Sequence, residues 1–322
     1  MKKLLKINGL NKVISLVLTF AIIQLLISTN IISDYLQATL ATICINIILA
    51  VSLNLITGFT GQFSLGHAGF MSIGAYVCAL ITLRTPTVLG FIIGVFGGAI
   101  AAAFIGILVG LPTLRLRGDY LAIATLGMSE IIRIIFLNMK ITNGAAGLNG
   151  IPQFVNWIWL FVFTAGTILV IMNFLKSSHG RACISIREDE IAAEAMGINT
   201  TKYKVIAFTI GAFCAGIAGA LYASYFYFLK PDLFGFLKSI DVLVIVVLGG
   251  LGSISGSILA AILLALISTF LQSFPEIRMV VYSLALISIM LFRPQGLMGS
   301  KEISLSVFKK WGSNVIFRKG RV

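Results

Sequence analysis

The chain has 322 residues, 58% of them hydrophobic and only 11% charged, with a mean hydropathy of +1.04. A soluble domain carries about 25% charged residues, so the composition excludes a soluble globular protein and marks a polytopic membrane protein. The net charge of +13 does not point to nucleic acid, because the Lys and Arg gather between apolar runs and at both ends, as the positive-inside rule requires.

Lys2, Lys3, Lys6 and Lys12 precede an uncharged run from Val13 to Ser33. That run exceeds a signal-peptide core and no A-x-A site follows it, so it reads as a retained first span with its basic end in the cytoplasm. From Tyr35 to Leu83 there are 49 residues without Lys, Arg, Asp or Glu, more than twice the roughly 20 that one span needs. The polar, Gly-rich stretch GFTGQFSLGH at 58–67 divides them into helices at 36–57 and 67–83. Thr87 to Leu114 is a fourth span, with Gly94/Gly98 and Gly106/Gly110 as GxxxG pairs that let backbones approach. Arg115 and Arg117 mark a cytoplasmic turn. A fifth span at 119–138 holds Glu130 and Arg133, and the Gly- and Asn-rich loop 140–153 reads as external. Trp157 to Leu175 is the sixth span.

Residues 180–204, GRACISIREDEIAAEAMGINTTKYK, form the longest water-compatible segment between the first and last apolar runs. Ser185 with Glu188 matches a capping box, and Glu188, Asp189 and Glu190 suit the positive end of the helix dipole. Ala192, Ala193 and Ala195 continue the helix and Gly197 ends it. The expected product is a helix of about ten residues, roughly 15 Å long, exposing carboxylates and small side chains. It suits docking into a partner's cleft; a solvated loop helix is the alternative.

Val205 to Leu229 is a seventh span, and Lys230 to Asp241 returns outside. Val242 to Pro275 is uncharged and broken by GGLGSISG at 249–256, giving a short span and a full one; 279–292 is the last. The fold class is therefore all-α with about ten transmembrane helices and both termini cytoplasmic, in one membrane domain over 1–300 with a central loop at 176–204. A basic cytoplasmic tail, 301–322, lies along the membrane surface. Eighteen of the 24 Lys and Arg fall on the cytoplasmic side of this scheme. Eight spans with two re-entrant segments fit nearly as well. The two breaks share a loose pattern, Gly58-x-x-Gly61-x-x-Ser64 against Gly249-x-x-Gly252-x-x-Ser255. Broken helices in corresponding positions can flank a substrate, although close helix packing explains the same spacing.

Enzyme signatures are missing: there is no G-x-x-x-x-G-K-[ST], no G-x-S-x-G and no H-E-x-x-H. The four cysteines form no CxxC pair, and neither a disulfide framework nor a metal site is indicated. Intramembrane ionisable groups are default functional candidates. Glu130 and Arg133 lie three apart on one helix face and can neutralise each other. His67 follows the first break, and Asn54, Gln62 and Ser64 supply uncharged donors and acceptors beside it. These four are candidates for the substrate pathway, or groups that repair broken backbone hydrogen bonds.

The segment GRACISIREDEIAAEAMGINTTKYKVIAF resembles the cytoplasmic loop of permease subunits in ABC importers for branched-chain amino acids. SLNLITGFTGQFSLGHAGFMSIGAY, LRLRGDYLAIATLGMSEIIR, VVLGGLGSISG and LFRPQGL extend the resemblance over nearly the whole chain. It implies a heterodimer with a second homologous permease, two ABC ATPase subunits that use ATP, and an extracytoplasmic substrate-binding protein. This chain itself would be no enzyme and bind no cofactor. The resemblance also implies that the central helix couples to the ATPase through Glu188, Asp189, Glu190, Ala192, Ala193 and Gly197. The general E-A-A-x-x-x-G pattern is not matched, since Ile191 stands six before Gly197 and the glutamate is Glu190, which leaves open the acid that touches the ATPase.

Leucine, isoleucine and valine are the implied cargo. Urea or short amides would keep the same fold, and an ATPase-independent secondary transporter is a third possibility. That last class needs intramembrane carboxylates for ion coupling, and only Glu130 is deep enough to serve.

Overall fold

The computed structural model describes residues 20–29, 33–114, 116, 118–270 and scattered positions between 280 and 299. Residues 20–28 are helical. Ten further helices follow: α1 (Asp34–Asn54), α2 (His67–Arg84), α3 (Val88–Thr113), α4 (Asp119–Asn138), α5 (Trp157–Lys176), α6 (Ser178–Glu188), α7 (Glu190–Ala195), α8 (Thr200–Phe226), α9 (Phe236–Gly249) and α10 (Ile254–Phe270). Six of these, α1 with its extension to Phe59, α2, α3, α4, α5 and α8, are long and apolar enough to cross a membrane. Of the expected first span, 13–33, residues 20–29 and 33 are described; the last, 279–292, lies largely outside the described residues, and the tail 301–322 lies wholly outside them.

In α3, side-chain size rather than polarity decides which face is inside. Along α3 the large residues Leu89, Ile93, Phe96, Ile100, Phe104, Ile107 and Leu111 recur every three or four positions and are exposed. The opposite face carries Gly90, Gly94, Gly98 and Gly106, which are buried. Apolar side chains gain nothing by leaving lipid, so small residues that permit close backbone contact form the interfaces. A Cβ added at Gly98 would press on the backbone of Gly74, one at Gly74 on Gly216, and one at Gly219 on the Met71 carbonyl. These contacts lock α2, α3 and α8 into one block, the most extensively packed in the molecule. Against it lies a second group in which α1 packs on α10, α8, α5 and α9.

Local signals set the helix ends. The Thr87 hydroxyl caps α3 by accepting from Gly90 N, and Asn199 caps α8 by accepting from Lys202 N. The Asn199 cap starts α8 at Thr200, earlier than the expected span at 205–229. Likewise α9 begins at Phe236 after the extended Gly235. Lys238 and Asp241, expected in an external loop, therefore stand on the first turns of a helix.

At one end of the bundle sit α6 and α7. At the other, a two-residue antiparallel pair, Leu148 with Leu229 and Asn149 with Phe228, ties the loop after α4 to the turn after α8.

Gly219→Val is expected to cut the yield of folded, detergent-soluble protein and lower its thermal midpoint. Overpacking costs about 1–3 kcal/mol, and here the obstacle is backbone that cannot rotate away. Size-exclusion chromatography and a thermal unfolding scan would measure it.

Candidate functional site

The two glycine-rich breaks, nearly 200 residues apart in sequence, meet at the end of α1. There α1 widens into a π turn, Leu55–Phe59, which frees backbone groups from the regular ladder. The Asn54 side chain spans the gap to the second break. Its Nδ2 donates to Ser253 O at 2.9 Å and Ser257 Oγ at 2.8 Å, and its Oδ1 accepts from Gly252 N at 2.8 Å. Gly58 and Gly252 lie so close that a Cβ on Gly58 would strike the Gly252 nitrogen.

The other residues expected near a substrate path are likewise buried and occupied with the fold. Gln62 Nε2 donates to the Lys204 carbonyl at 3.2 Å, with its Oε1 buried and unpartnered. Ser64 Oγ accepts weakly from Gly66 N at 3.4 Å. His67 Nε2 lies 2.8 Å from Ser52 Oγ. All four lie along or beside the first break: Asn54, Gln62 and Ser64 bond backbone atoms, whereas His67 meets the Ser52 hydroxyl and keeps its Nδ1 buried without a partner.

The central loop differs from the single capped helix expected. Ser177 starts α6 by accepting from Gly180 N at 3.3 Å, which places Ser185 inside that helix, where its hydroxyl donates to Ala182 O. Ser185 and Glu188 form no capping box. The break falls at Asp189, whose backbone is extended and whose Oδ1 accepts from Ile191 N at 2.9 Å and Ala192 N at 3.0 Å, making it the N-cap of α7. Gly197 does end the helix, in the left-handed conformation at φ +83°.

Each acidic residue has its own place. Glu188 closes α6 and pairs with Arg187. Glu190 opens α7 and pairs with Lys204 Nζ at 2.7 Å, pinning α7 to the start of α8. Ala193 is buried beneath α7, whereas Ile191 is 71% exposed and Met196 83%. Ile191 and Met196 thus give the outward side of α7 two large apolar side chains, beside the exposed Glu194.

Arg187 is a further residue whose role the sequence concealed. Its Nη1 donates to the Gly58 carbonyl in the π turn at 2.9 Å. The same side chain lies against Gly61, and its guanidinium lies against Gly252. A single arginine at the end of α6 therefore touches both breaks.

Farther away, the Glu130–Arg133 pair forms as the spacing predicts, at 2.7 Å, and extends to a third member, Asp232, at 2.9 Å from Arg133. It fastens α4 to the 3-10 turn Pro231–Phe234. Among the described residues no group of His, Cys, Asp and Glu is arranged to hold a metal ion.

Residues 35–291 match the family model described as the branched-chain amino acid transport system permease component. The high-affinity branched-chain amino acid transport system permease protein LivM of Escherichia coli K12 is 39% identical over 289 residues, covering 79% of this chain and 68% of that protein. LivM of Salmonella typhimurium is 38% identical over the same shares. LivH of E. coli K12, a permease protein of the same system by name, is 27% identical over 80% of this chain and 92% of its own length. The solved structure "PsaBC from Streptococcus pneumoniae in complex with Fab" superposes with a TM-score of 0.45 at 14% identity, covering 84% of this chain and 94% of that one.

Asn54→Ala should destabilise the protein by about 1–3 kcal/mol for each buried partner left unsatisfied, read as a lower thermal midpoint in detergent. Asn54→Asp keeps the acceptor for Gly252 N but sets a carboxylate oxygen against the Ser253 carbonyl in a buried site, and should destabilise at least as much as alanine. Cys183 offers an independent report on the seat of α6. Burial pushes its thiol up to about 11, so with the other three cysteines replaced by alanine a water-soluble maleimide should label it slowly at neutral pH. Reactivity requires the thiolate. Arg187→Ala, by loosening α6, should speed that labelling.

Proposed function

The chain belongs to the permease component family of branched-chain amino acid transport systems, and from that membership we propose that it carries leucine, isoleucine and valine into the cell. The match that runs without interruption from 35 to 291 carries this reading, since it takes in both breaks and the central loop.

The work is divided among subunits. This chain provides half of the membrane passage, and a second permease of the LivH kind provides the other half. The likeness to both LivM and LivH supports such a pairing. ATP is hydrolysed by two separate subunits, in keeping with a sequence that contains no P-loop. A binding protein outside the membrane delivers the amino acid. The helices number about ten, and the end bearing α6 and α7 faces the cytoplasm with both termini, as the distribution of Lys and Arg favours.

In this reading α7 is the coupling helix. Its exposed Ile191 and Met196 enter a cleft of the ATPase subunit, while Glu190 and Ala193 hold it to the rest of the chain. When the ATPases close, α7 moves and α6 moves with it through the short joint at Asp189. Arg187 then pulls on the Gly58 carbonyl and on the second break beside it. Force thereby reaches the two places where the helices are already interrupted, and where a change of backbone direction costs the fewest hydrogen bonds.

Uptake of radiolabelled leucine in cells with and without the gene tests the cargo, with urea run alongside. Loss of leucine, isoleucine and valine uptake alone is expected, and loss of urea uptake alone would overturn the assignment. For the coupling helix, Met196→Asp and Gly197→Asp should abolish uptake while the protein remains in the membrane at normal amounts. Normal uptake in both would remove α7 from that role.

A further inference from the structure

At the end of the bundle opposite α6 and α7, a cavity of about 530 Å³ opens between α1, α9 and α10. Its volume falls among those of small-molecule sites, about 300–1,000 Å³. One wall is apolar, formed by Ile245, Leu264 and Ala265, all buried. The other carries Asn46 of α1 with Lys238 and Asp241 of α9. Lys238 Nζ donates to Asn46 Oδ1 at 3.3 Å, and Asp241, three residues on, is near enough to act on the ammonium electrostatically.

Two opposite charges on the wall of a cavity among apolar helices are costly to keep there, and helix stability does not require them. A lysine at this depth has three N–H donors, and Asn46 takes one. Asp241 lines the same wall and brings a carboxylate to it. The spacing of one helical turn separates a cationic from an anionic point on the same face. An α-amino acid presents the complementary arrangement, a carboxylate and an ammonium on one carbon, with a side chain directed away from both.

We propose that the Lys238–Asp241–Asn46 cavity is a binding site for the zwitterionic head of an aliphatic amino acid, with Ile245, Leu264 and Ala265 receiving its side chain. The inference rests on the functional reading above and deepens it. The carboxylate lies toward Lys238 and Asn46, and the ammonium toward Asp241. The site selects for both charged groups together and only loosely for the shape of the side chain. It would admit leucine, isoleucine and valine alike and refuse the corresponding acids or amines. Tyr35, at the start of α1, bonds the Thr269 carbonyl at the end of α10 at 3.0 Å and joins the two helices beside the opening.

The test uses the whole transporter in membrane vesicles, with leucine uptake normalised to assembled complex. Lys238→Met and Asp241→Asn are each expected to reduce uptake about tenfold or more, as loss of one member of a charged recognition pair does. The double variant should be no better than either single one. Wild-type uptake in the single variants would overturn the site, and so would recovery in the double variant, since a purely structural ion pair is relieved by removing both members. Ser268→Cys, across the cavity, leaves both charges intact and serves if the charge variants fail to assemble. Its labelling by a charged methanethiosulfonate should be slowed by free leucine and not by 4-methylpentanoate, which lacks the ammonium; equal protection or none would overturn the proposal. If the wild-type complex imports no leucine, the functional reading falls and takes this inference with it. Leucine import that is insensitive to every variant removes the cavity alone.

Discussion

The amide of Asn54 is the constraint on which the junction depends. A helix interrupted inside a membrane exposes backbone donors and acceptors where no water replaces the lost partners, so something in the protein must. Asn54 does so for a break that is not its own. It gives both amide protons to Ser253 and Ser257 and receives the N–H of Gly252. The first break is repaired by other means: Thr60 Oγ1 donates to Leu55 O, Gln62 N to Ile56 O, and Leu65 N to Thr125 Oγ1. The second interruption is thus stabilised by a residue about 200 positions away, and the first by bonds within itself together with the remote Thr125.

Around this polar junction the remaining cohesion comes from close approach. Glycines on α2, α3 and α8 bring backbones together, and along α3 most of the large side chains are turned outward, while Tyr76, Phe91 and Phe208 fill the space between the helices. The bundle therefore consists of a tightly interlocked block and a looser group around α1, with the two breaks at the end of that group and the cavity at its other end. Arg187 reaches the breaks from the loop, and the Arg133 triad fastens the far end. Charged side chains are few, and those within reach of the bundle act as ties between segments.

Much of this was legible in the sequence because it depends on local pattern. The division of 35–83 by GFTGQFSLGH, the glycine spacing of α3, the stop at Gly197 and the Glu130–Arg133 pair all follow from neighbours within a few positions. Failures came where two local signals competed or where the partner was remote. Ser185 with Glu188 has the spacing of a capping box, but Ser177 had already begun a helix that runs through Ser185, so the turn passed to Asp189. Ala193 belongs to the same small-residue run as Ala192, and only the packing of α7 shows that it faces inward. Lys238 and Asp241 look like loop charges until Gly235 is seen to start a helix before them. That Gly58 and Gly252 touch, that Arg187 reaches both, and that Asp232 completes the Arg133 pair are contacts between residues far apart in sequence, and no periodicity encodes them.

The π turn at Leu55–Phe59 has a consequence for how α1 can be altered. A π turn holds one residue more than the α-helix around it, and an extra residue advances the helical phase by about 100°. That surplus brings the Gly58 carbonyl out of the ladder and round to Arg187. The segment is in effect a stored insertion, so deleting one residue would let the helix close into regular form while the chain after it, which carries Gln62 and Ser64, left the helix in a different direction. The length of α1 is consequently fixed by rotation as well as by span, and the register between the passage and the loop is written in a single supernumerary residue.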